Sequence, residues 1–375
     1  MTTTTPRPRA LGGLRGTLVR LAERVTTPLL PADYLDAIDP LLSGAQPRGR
    51  IVGIHPETRD AVTVVIKPGS GWLPHVPGQY LRLGVEVDGV RQWRSYSITS
   101  RPGRLDRCVT ITVKCVPGGV VSNHLVRRAT VGTVVQLGQA AGDFTLAQQP
   151  AGPPAKMLFL TAGSGITPVM GMLRSLPPAV PRDIVPAVPR DIVVVHSAPR
   201  PDDVIFAGEL RMLAQRRRIR LVEIHTRTDG RTDPARLDEL VDDLDQRQTW
   251  ACGPADMLDA IETRWAAAGI TGQLHIERFR PTLIATGDGG AVTFSASGTT
   301  VDAVGTRSLL DTGEAAGVLM PSGCRMGICF GCVAPLRRGA VRDLRTGALT
   351  TANDGDGVVI QTCISAAAGD CDIDL

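Results

Sequence analysis

Cys324, Cys329 and Cys332 stand in the stretch CRMGICFGC, and Cys363 follows in VIQTCIS. Thiolate sulfur is a soft ligand that suits zinc and iron–sulfur centres. Zinc ribbons use two Cys-x2-Cys pairs, which this stretch lacks. The spacing here is Cys-x4-Cys-x2-Cys with a distant fourth cysteine, the arrangement of a [2Fe–2S] centre. A loop around such a centre turns its N–H groups toward sulfur, and Gly323, Gly327 and Gly331 permit the close approach. The expected ligands are Cys324, Cys329, Cys332 and Cys363, and the expected chemistry is electron transfer. Cys108, Cys115 and Cys371 have no comparable context and read as buried or surface thiols.

A second set of residues suits a phosphate-bearing, flat ligand. In RSYSI, Arg94 and Tyr96 share one face of a strand, and Ser95 and Ser97 share the other. A guanidinium holds phosphate and a ring covers a planar group. A strand with one exposed Arg and one packed Tyr accounts for the same letters. In PGGVVSNHL, Gly118 and Gly119 free the backbone, Val120 and Val121 follow, and Ser122 is placed to cap a helix over NHLVRRA. Such a turn presents N–H groups to an anion; a plain strand–turn–helix junction with a capping serine reads equally.

A third set suits a dinucleotide. KMLFLTAGSGITPVMGML is an apolar strand, a turn through Gly163 and Gly165, then a helix. Thr167 is expected to cap that helix, with Pro168 in its first turn and Ile166, Met170 and Leu173 facing inward. The turn lacks a GxGxxG fingerprint and a Walker lysine, so ATP hydrolysis is not expected, and a structural βα turn fits either glycine taken singly. The next strand, in VVVHSAPRPDDVIF, ends at Ser197 and Arg200, where such a sheet reads the adenosine ribose; Arg227 in HTRTDGR can join them. Cations favour a 2′-phosphate, so NADPH is expected over NADH. Asp202 and Asp203 weigh the other way, although they also read as first-turn acids of a helix burying Phe206, Leu210 and Leu213. Then TWACGPADMLDAI places Cys252, Gly253 and Pro254 at a strand tip, and IERF brings Phe279.

These residues need scaffolds. Residues 47–152 read as short strands bounded by Gly and Pro (AVTVVIKP, QYLRLGVEV, VTITVKCV), a small antiparallel β-barrel. Residues 153–282 alternate strand and helix, which makes an α/β parallel sheet. After a linker at 283–288, residues 289–375 read as a hairpin (AVTFSASGTTVDAV), a helix (SLLDTGEAAG) and closing strands (GVVIQTCISAAAGDCDIDL). The chain is therefore multidomain. PAVPRDIV occurs twice in succession, at 178–185 and 186–193, and reads as a duplication in a surface loop. Only the second DIV is expected to enter the sheet.

Residues 1–46 stand apart as a basic amphipathic segment. In LRGTLVRLAERV, Leu14, Leu18, Leu21, Ala22 and Val25 recur at helical spacing, with Arg15, Arg20 and Arg24 between them. This is a helix clamped across the body, or one that touches a membrane surface through residues 10–30. The net charge of +4 is too small and dispersed to argue for nucleic acid. No apolar run is long enough for a bilayer, and MTTTTPRPRA leads into no signal-peptide core. A cytoplasmic place is expected, with membrane association at the cytoplasmic face under the second reading of the helix. In that reducing compartment cysteine clusters are more often metal ligands than disulfides.

Taken in order, the motifs over about residues 48–280 resemble the ferredoxin–NADP⁺ reductase superfamily, and residues 289–375 resemble a plant-type ferredoxin domain. The resemblance implies a flavin barrel in which Arg94 and Ser122 hold flavin phosphate beside the turn Gly118–Val121. Tyr96 then covers the isoalloxazine and Ser97 approaches its reactive edge. It implies that Gly163, Gly165, Thr167, Pro168, Ser197, Arg200 and Arg227 serve the nucleotide. Cys252, Gly253 and Pro254 lie by the nicotinamide, and Phe279 shields the flavin. Ser97, Tyr96 and Cys252 are the implied catalytic residues. FAD is favoured over FMN because VSNHL looks like the FAD members. The last domain is implied to be an α+β, ferredoxin-like β-grasp.

A nicotinamide gives up two electrons as hydride, a [2Fe–2S] cluster accepts one, and a flavin manages both. The expected path therefore runs from NADPH through FAD to the cluster and on to an external acceptor. The domain order resembles reductase components of bacterial oxygenases, hydroxylases and fatty-acid desaturases, which implies a terminal enzyme of that kind as partner. Three alternatives stand. The chain could be a flavin reductase acting directly on a small-molecule acceptor, or an NADH-dependent reductase of a soluble ring-hydroxylating dioxygenase. It could also be a non-enzymatic cluster carrier, against which the intact GSGITP and CGP speak.

Overall fold

The computed structural model describes residues 39, 41, 47–146, 156–176, 191–231, 233–279, 285–327 and 330–375. The helix expected within residues 10–30, the first PAVPRDIV copy and Cys329 lie outside the described residues.

Six antiparallel strands form the first sheet: β1 (Arg48–Thr58), β2 (Ala61–Pro68), β3 (Tyr80–Val87), β4 (Val90–Ser97), β5 (Val109–Lys114) and β6 (Val134–Leu137). Their order is β4-β3-β6-β1-β2-β5, and a bridge between Ile98 and Ile111 brings the two outer strands together, closing a barrel. Ile51, Val64, Ile66, Leu81, Leu83 and Ile111 are fully buried inside. Removing each such side chain from water contributes roughly 1.5–3 kcal/mol. Helix α1 (Val120–Arg127) adds Val121 and Leu125 to this core. It starts earlier than its serine suggested: Gly119 is the N-cap, and Ser122 lies within the first turn. Gly118, at φ 70°, turns the chain before the serine is reached. Ser122 Oγ instead accepts from Val116 N–H at 3.2 Å.

The second sheet is wholly parallel: β7 (Lys156–Ala162), β8 (Asp191–Ala198), β9 (Arg220–His225), β10 (Gln248–Cys252) and β11 (Leu274–Glu277), in the order β11-β10-β7-β8-β9. Helices α2 (Ile166–Ser175), α3 (Ala207–Gln215), α4 (Leu237–Leu240) and α5 (Ala255–Ala267) connect the strands. Separate apolar clusters cover its two faces. The order reverses between β7 and β10, so their carboxyl ends open a crevice of the kind that receives ligands. Only the second DIV copy belongs to β8, which opens at Asp191 with an ion pair to buried Arg247 at 2.5 Å. Two local expectations are corrected. A short 3₁₀ turn, Gly163–Gly165, precedes α2, so Thr167 is no cap; its Oγ1 donates to Ser164 O at 2.9 Å. Asp202 and Asp203 belong to a 3₁₀ turn ahead of α3 rather than to its first turn.

The third sheet is mixed: β12 (Gly290–Phe294), β13 (Thr299–Ala303), β14 (Val333–Asp343), β15 (Leu349–Ala352), β16 (Val359–Gln361) and β17 (Ser365–Ile373). β12 runs parallel to β17, whereas β13, β14 and β15 join antiparallel and β16 pairs with β14. Helix α6 (Leu309–Ala315) buries Leu309 and Leu310 against this sheet, the β-grasp arrangement. Ser308 caps it by accepting from Asp311 N–H at 3.1 Å. Among the described residues no helix is long and apolar enough to cross a membrane.

Candidate functional site

All three sheets contribute walls to one cavity of about 620 Å³. β4 brings Arg94, Ser95, Tyr96 and Ser97, and the turn into α1 brings Gly118, Gly119, Val120, Val121 and Ser122. The nucleotide sheet adds Ser164, Thr167, Glu277 and Phe279, and the cluster-bearing domain adds Asp311, Glu314, Cys324, Arg325 and Met326. Thus the barrel residues singled out by sequence do meet, and they meet the first cysteine of CRMGICFGC. Burial, tempered by Arg94, pushes the Tyr96 phenol well above its usual range. Burial lowers the Arg94 guanidinium, and Arg325 opposite it lowers it further, while Glu314, Tyr96 and Asp311 pull the other way. Arg325 itself pairs with Asp311 at 2.9 Å and with Glu314.

This cavity fits a flavin on its own evidence. Ser95 Oγ is buried without a hydrogen-bond partner, so the wall holds an unspent polar group for a planar, polar-edged ligand. A Cβ at Gly119 would lie 2.6 Å from Ser122 Oγ and 3.1 Å from Val116 O, so glycine lets this turn close tightly on its own serine at the cavity wall.

Glu277 is a site residue that sequence reasoning missed. Burial lifts its carboxyl to about 8, and the Ser97 hydroxyl beside it draws it partly back. The same burial, with Glu277 nearby, raises the Cys252 thiol well above its ordinary value. Only tertiary placement gives the signal, since Glu277 closes β11 while Ser97 closes β4.

A second cleft, of about 680 Å³, runs along the carboxyl ends of β7, β8 and β10. Of the residues singled out for the nucleotide, Gly163, Gly165, Ser197, Gly253 and Pro254 border it, together with Ser164. A Cβ at Gly165 would lie 2.0 Å from Cys252 O, so this glycine is required by the close approach of two backbones. Cys252 itself is fully buried and borders neither cavity, and neither does Pro168. Arg200 and Arg227 also stand off: Arg200 is exposed at the head of a 3₁₀ turn, and exposed Arg227 donates its N–H to Pro199 O at 3.1 Å. The arginines in the cleft wall are Arg231, paired with Asp256, and Arg278, paired with Asp259 at 2.7 Å. Lys114, Ser164 and Phe279 border both cavities. Lys114, which also pairs with Asp60 at 2.9 Å, went unnoticed in the sequence.

Cys324, Cys332 and Cys363 are all buried. Hydrogen bonding with Cys332 and burial raise the Cys363 thiol, and Cys324 adds to the effect, so the three sulfurs are electrostatic neighbours. The Met326 N–H points at Cys324 Sγ, 3.3 Å away. Gathered thiols with a backbone amide directed at sulfur are a donor set that fits an iron–sulfur cluster. Gly327, at φ 72°, sits where a Cβ would meet Arg345 at 2.6 Å. Cys371 is buried in β17, and burial pushes its thiol up to about 12. Cys108 and Cys115 belong to the barrel region, the first buried and the second half-buried.

Comparison with known proteins adds three family matches. Residues 64–146 match the oxidoreductase FAD-binding domain, residues 159–263 the oxidoreductase NAD-binding domain, and residues 292–368 the 2Fe-2S iron-sulfur cluster binding domain. An NADPH oxidoreductase of Mycobacterium tuberculosis is 47% identical over 96% of this chain and 92% of its own length. The glycine betaine monooxygenase reductase subunit of Chromohalobacter salexigens is 30% identical, covering 76% of this chain and 84% of that protein. The solved structure of phthalate dioxygenase reductase superposes with a TM-score of 0.56 at 22% identity, over 88% of this chain and 97% of that one, a likeness of fold.

Proposed function

We propose, for a chain that belongs to the family of oxidoreductases uniting FAD-binding, NAD-binding and [2Fe–2S] cluster-binding domains, that it is the NADPH-dependent reductase of a separate oxygenase, hydroxylase or desaturase. The enzyme class and the three cofactors follow from the family; the choice of NADPH, the partner and the residue roles are the proposal. One observation carries it: a single cavity bordered by Tyr96, by the turn of the nucleotide sheet and by Cys324. The names of two relatives, an NADPH oxidoreductase and a monooxygenase reductase subunit, support the donor and the kind of acceptor.

Bound FAD would supply the exchange between hydride and single electrons that neither nicotinamide nor cluster performs alone. Arg94 and the turn Gly118–Ser122 are assigned to its phosphate, and Tyr96 to the face of its ring. Phe279, 37% exposed at the boundary of both cavities, is assigned as the shield that separates ring from solvent. The proton on Glu277 is held next to Ser97 at neutral pH, since its carboxyl titrates near 8. The cleft around Gly163–Gly165 and Ser197 takes the nucleotide, with Lys114 and Arg231 as the cations for its phosphates. Cys252 acts from behind Gly165, by shaping the cleft floor rather than by touching substrate. Cys324, Cys329, Cys332 and Cys363 are assigned to the cluster.

Anaerobic titration of the purified holoprotein with NADPH tests this reading. A flavin band should bleach and the EPR signal of a reduced [2Fe–2S] centre should grow. Stoichiometric zinc in place of iron, or bleaching without that signal, would overturn it.

A further inference from the structure

One corner of the molecule ties the barrel to the nucleotide sheet, and a single guanidinium sits at its centre. Helix α2 begins at the nucleotide turn, where Ser164 and Thr167 border the flavin cavity. Further along, α2 lies on the barrel backbone just beyond Ser97, since a Cβ at Gly171 would come 2.4 Å from Ile98 O. Nearly one turn later, Arg174 Nη1 donates to Thr99 O at 2.8 Å. Its Nε and Nη2 grip Glu209 of α3 at 3.0 and 2.5 Å, and the guanidinium lies 4.9 Å from the Phe206 ring centroid. Phe206 holds a left-handed φ of 63°, a conformation costly for a bulky side chain. Its N–H is received by Glu57 Oε2 of β1 at 3.3 Å, and Arg59 pairs with Asp203 at 3.4 Å alongside.

We propose that Arg174 is a positioning residue for hydride transfer, fixing the Ser97 end of β4 against the helix that follows directly on the Gly163–Gly165 turn of the nucleotide cleft. This role of Arg174 rests on the reductase function proposed above. The donor site is built on the loops of the parallel sheet and the acceptor site on β4, so their separation is set by whatever joins those elements. Arg174 joins them with one planar fork, one arm on a barrel carbonyl and the others on Glu209. Arginine alone among side chains presents that many donors in fixed geometry. Lysine would keep the charge and lose the fork; methionine would keep the length and lose every hydrogen bond. Misplacing reacting groups by about 1 Å costs on the order of a hundredfold in rate without necessarily weakening binding.

The test uses full-length, flavin-loaded protein with Arg174→Met, Arg174→Lys and Glu209→Gln. Anaerobic stopped-flow with NADPH, and with NADPH deuterated at C4, gives the limiting rate of flavin reduction and its isotope effect. NADP⁺ difference spectra give binding without turnover. Arg174→Met should slow flavin reduction by about ten- to a hundredfold and raise the isotope effect, with the NADP⁺ dissociation constant within about twofold of wild type. Arg174→Lys and Glu209→Gln should fall between. An unchanged rate at lower thermal stability would reduce Arg174 to a brace, and parallel loss of rate and NADP⁺ affinity would mean general disordering; either overturns the proposal. If Arg174→Met does not fold, the same split between rate and affinity is read from the two milder variants. Wild-type flavin that stays oxidised under NADPH would instead remove the reductase reading beneath it, before any variant is compared.

Discussion

Tyr96 and Cys324 border the same cavity, one from the flavin barrel and the other from the cluster-bearing domain. The loop that carries Cys324 is therefore part of the same wall as Tyr96 and Arg94. Arg325 holds that loop in place through Asp311 and Glu314 of α6, with a left-handed φ of 58°. Arg325→Ala should slow cluster reduction by about tenfold or more, and slow NADPH reduction of the flavin distinctly less, since the cluster ligands sit on the loop that Arg325 holds. Stopped-flow absorbance at a flavin and a cluster wavelength separates the two.

Glu277 predicts a pH dependence with a definite sign. Its carboxyl is raised from an ordinary 4.5 to about 8 by burial. Below the ordinary value both folded and unfolded chains carry the proton. Between the two values the unfolded chain has released it and the folded chain has not, so stability from this group falls as pH rises and is lost near 8. Glu277→Gln should flatten the melting temperature against pH across that window. It should also remove any decline in NADPH oxidation above pH 8, and an unaltered pH profile would count against a protonated Glu277.

Cys363 offers a clean separation of the two redox sites. Its thiol lies among Cys332 and Cys324 but borders neither cavity. Cys363→Ser should abolish cluster absorbance and EPR while NADPH oxidation with ferricyanide continues at near the wild-type rate. Loss of both activities would show that flavin reduction needs the cluster in place.

The donor preference is expected to rest on Arg231 rather than on Arg200. Arg231 borders the nucleotide cleft, whereas Arg200 and Arg227 do not. Arg231→Ala should raise KM for NADPH by about tenfold or more with little effect for NADH, as losing a charge-assisted phosphate contact would. Arg200→Ala should change the two alike. Steady-state kinetics with both donors decides.

The domain order and the glycine turns, RSYS strand and cysteines of the cavities are readable because they depend on short-range letters. RSYS declares an alternating strand, CRMGICFGC declares its ligand spacing, and GSGITP declares a strand–turn–helix junction. What escaped was set by approach between distant segments. Glu277 and Ser97 end different sheets, and Lys114 serves both cavities because it closes β5 beside the nucleotide turn. Helix starts differ from the serine and threonine signals where glycine takes the cap: Gly119 and Gly165 precede α1 and α2, leaving Ser122 and Thr167 inside. β14, with its run of arginines, gave no apolar alternation to recognise, yet it anchors β15, β16 and β17.

The strand that starts at Asp191 takes its first letters from the later of two identical octapeptides. Excising either copy leaves the same polypeptide, with DIV still joined to VVH and Asp191 still available to Arg247. A replication slip at this point thus alters only the number of residues between α2 and β8 and spares every letter of the sheet. Variants shorter by eight residues should reduce their flavin at the parental speed, since every residue of β8 and its Arg247 partner is kept.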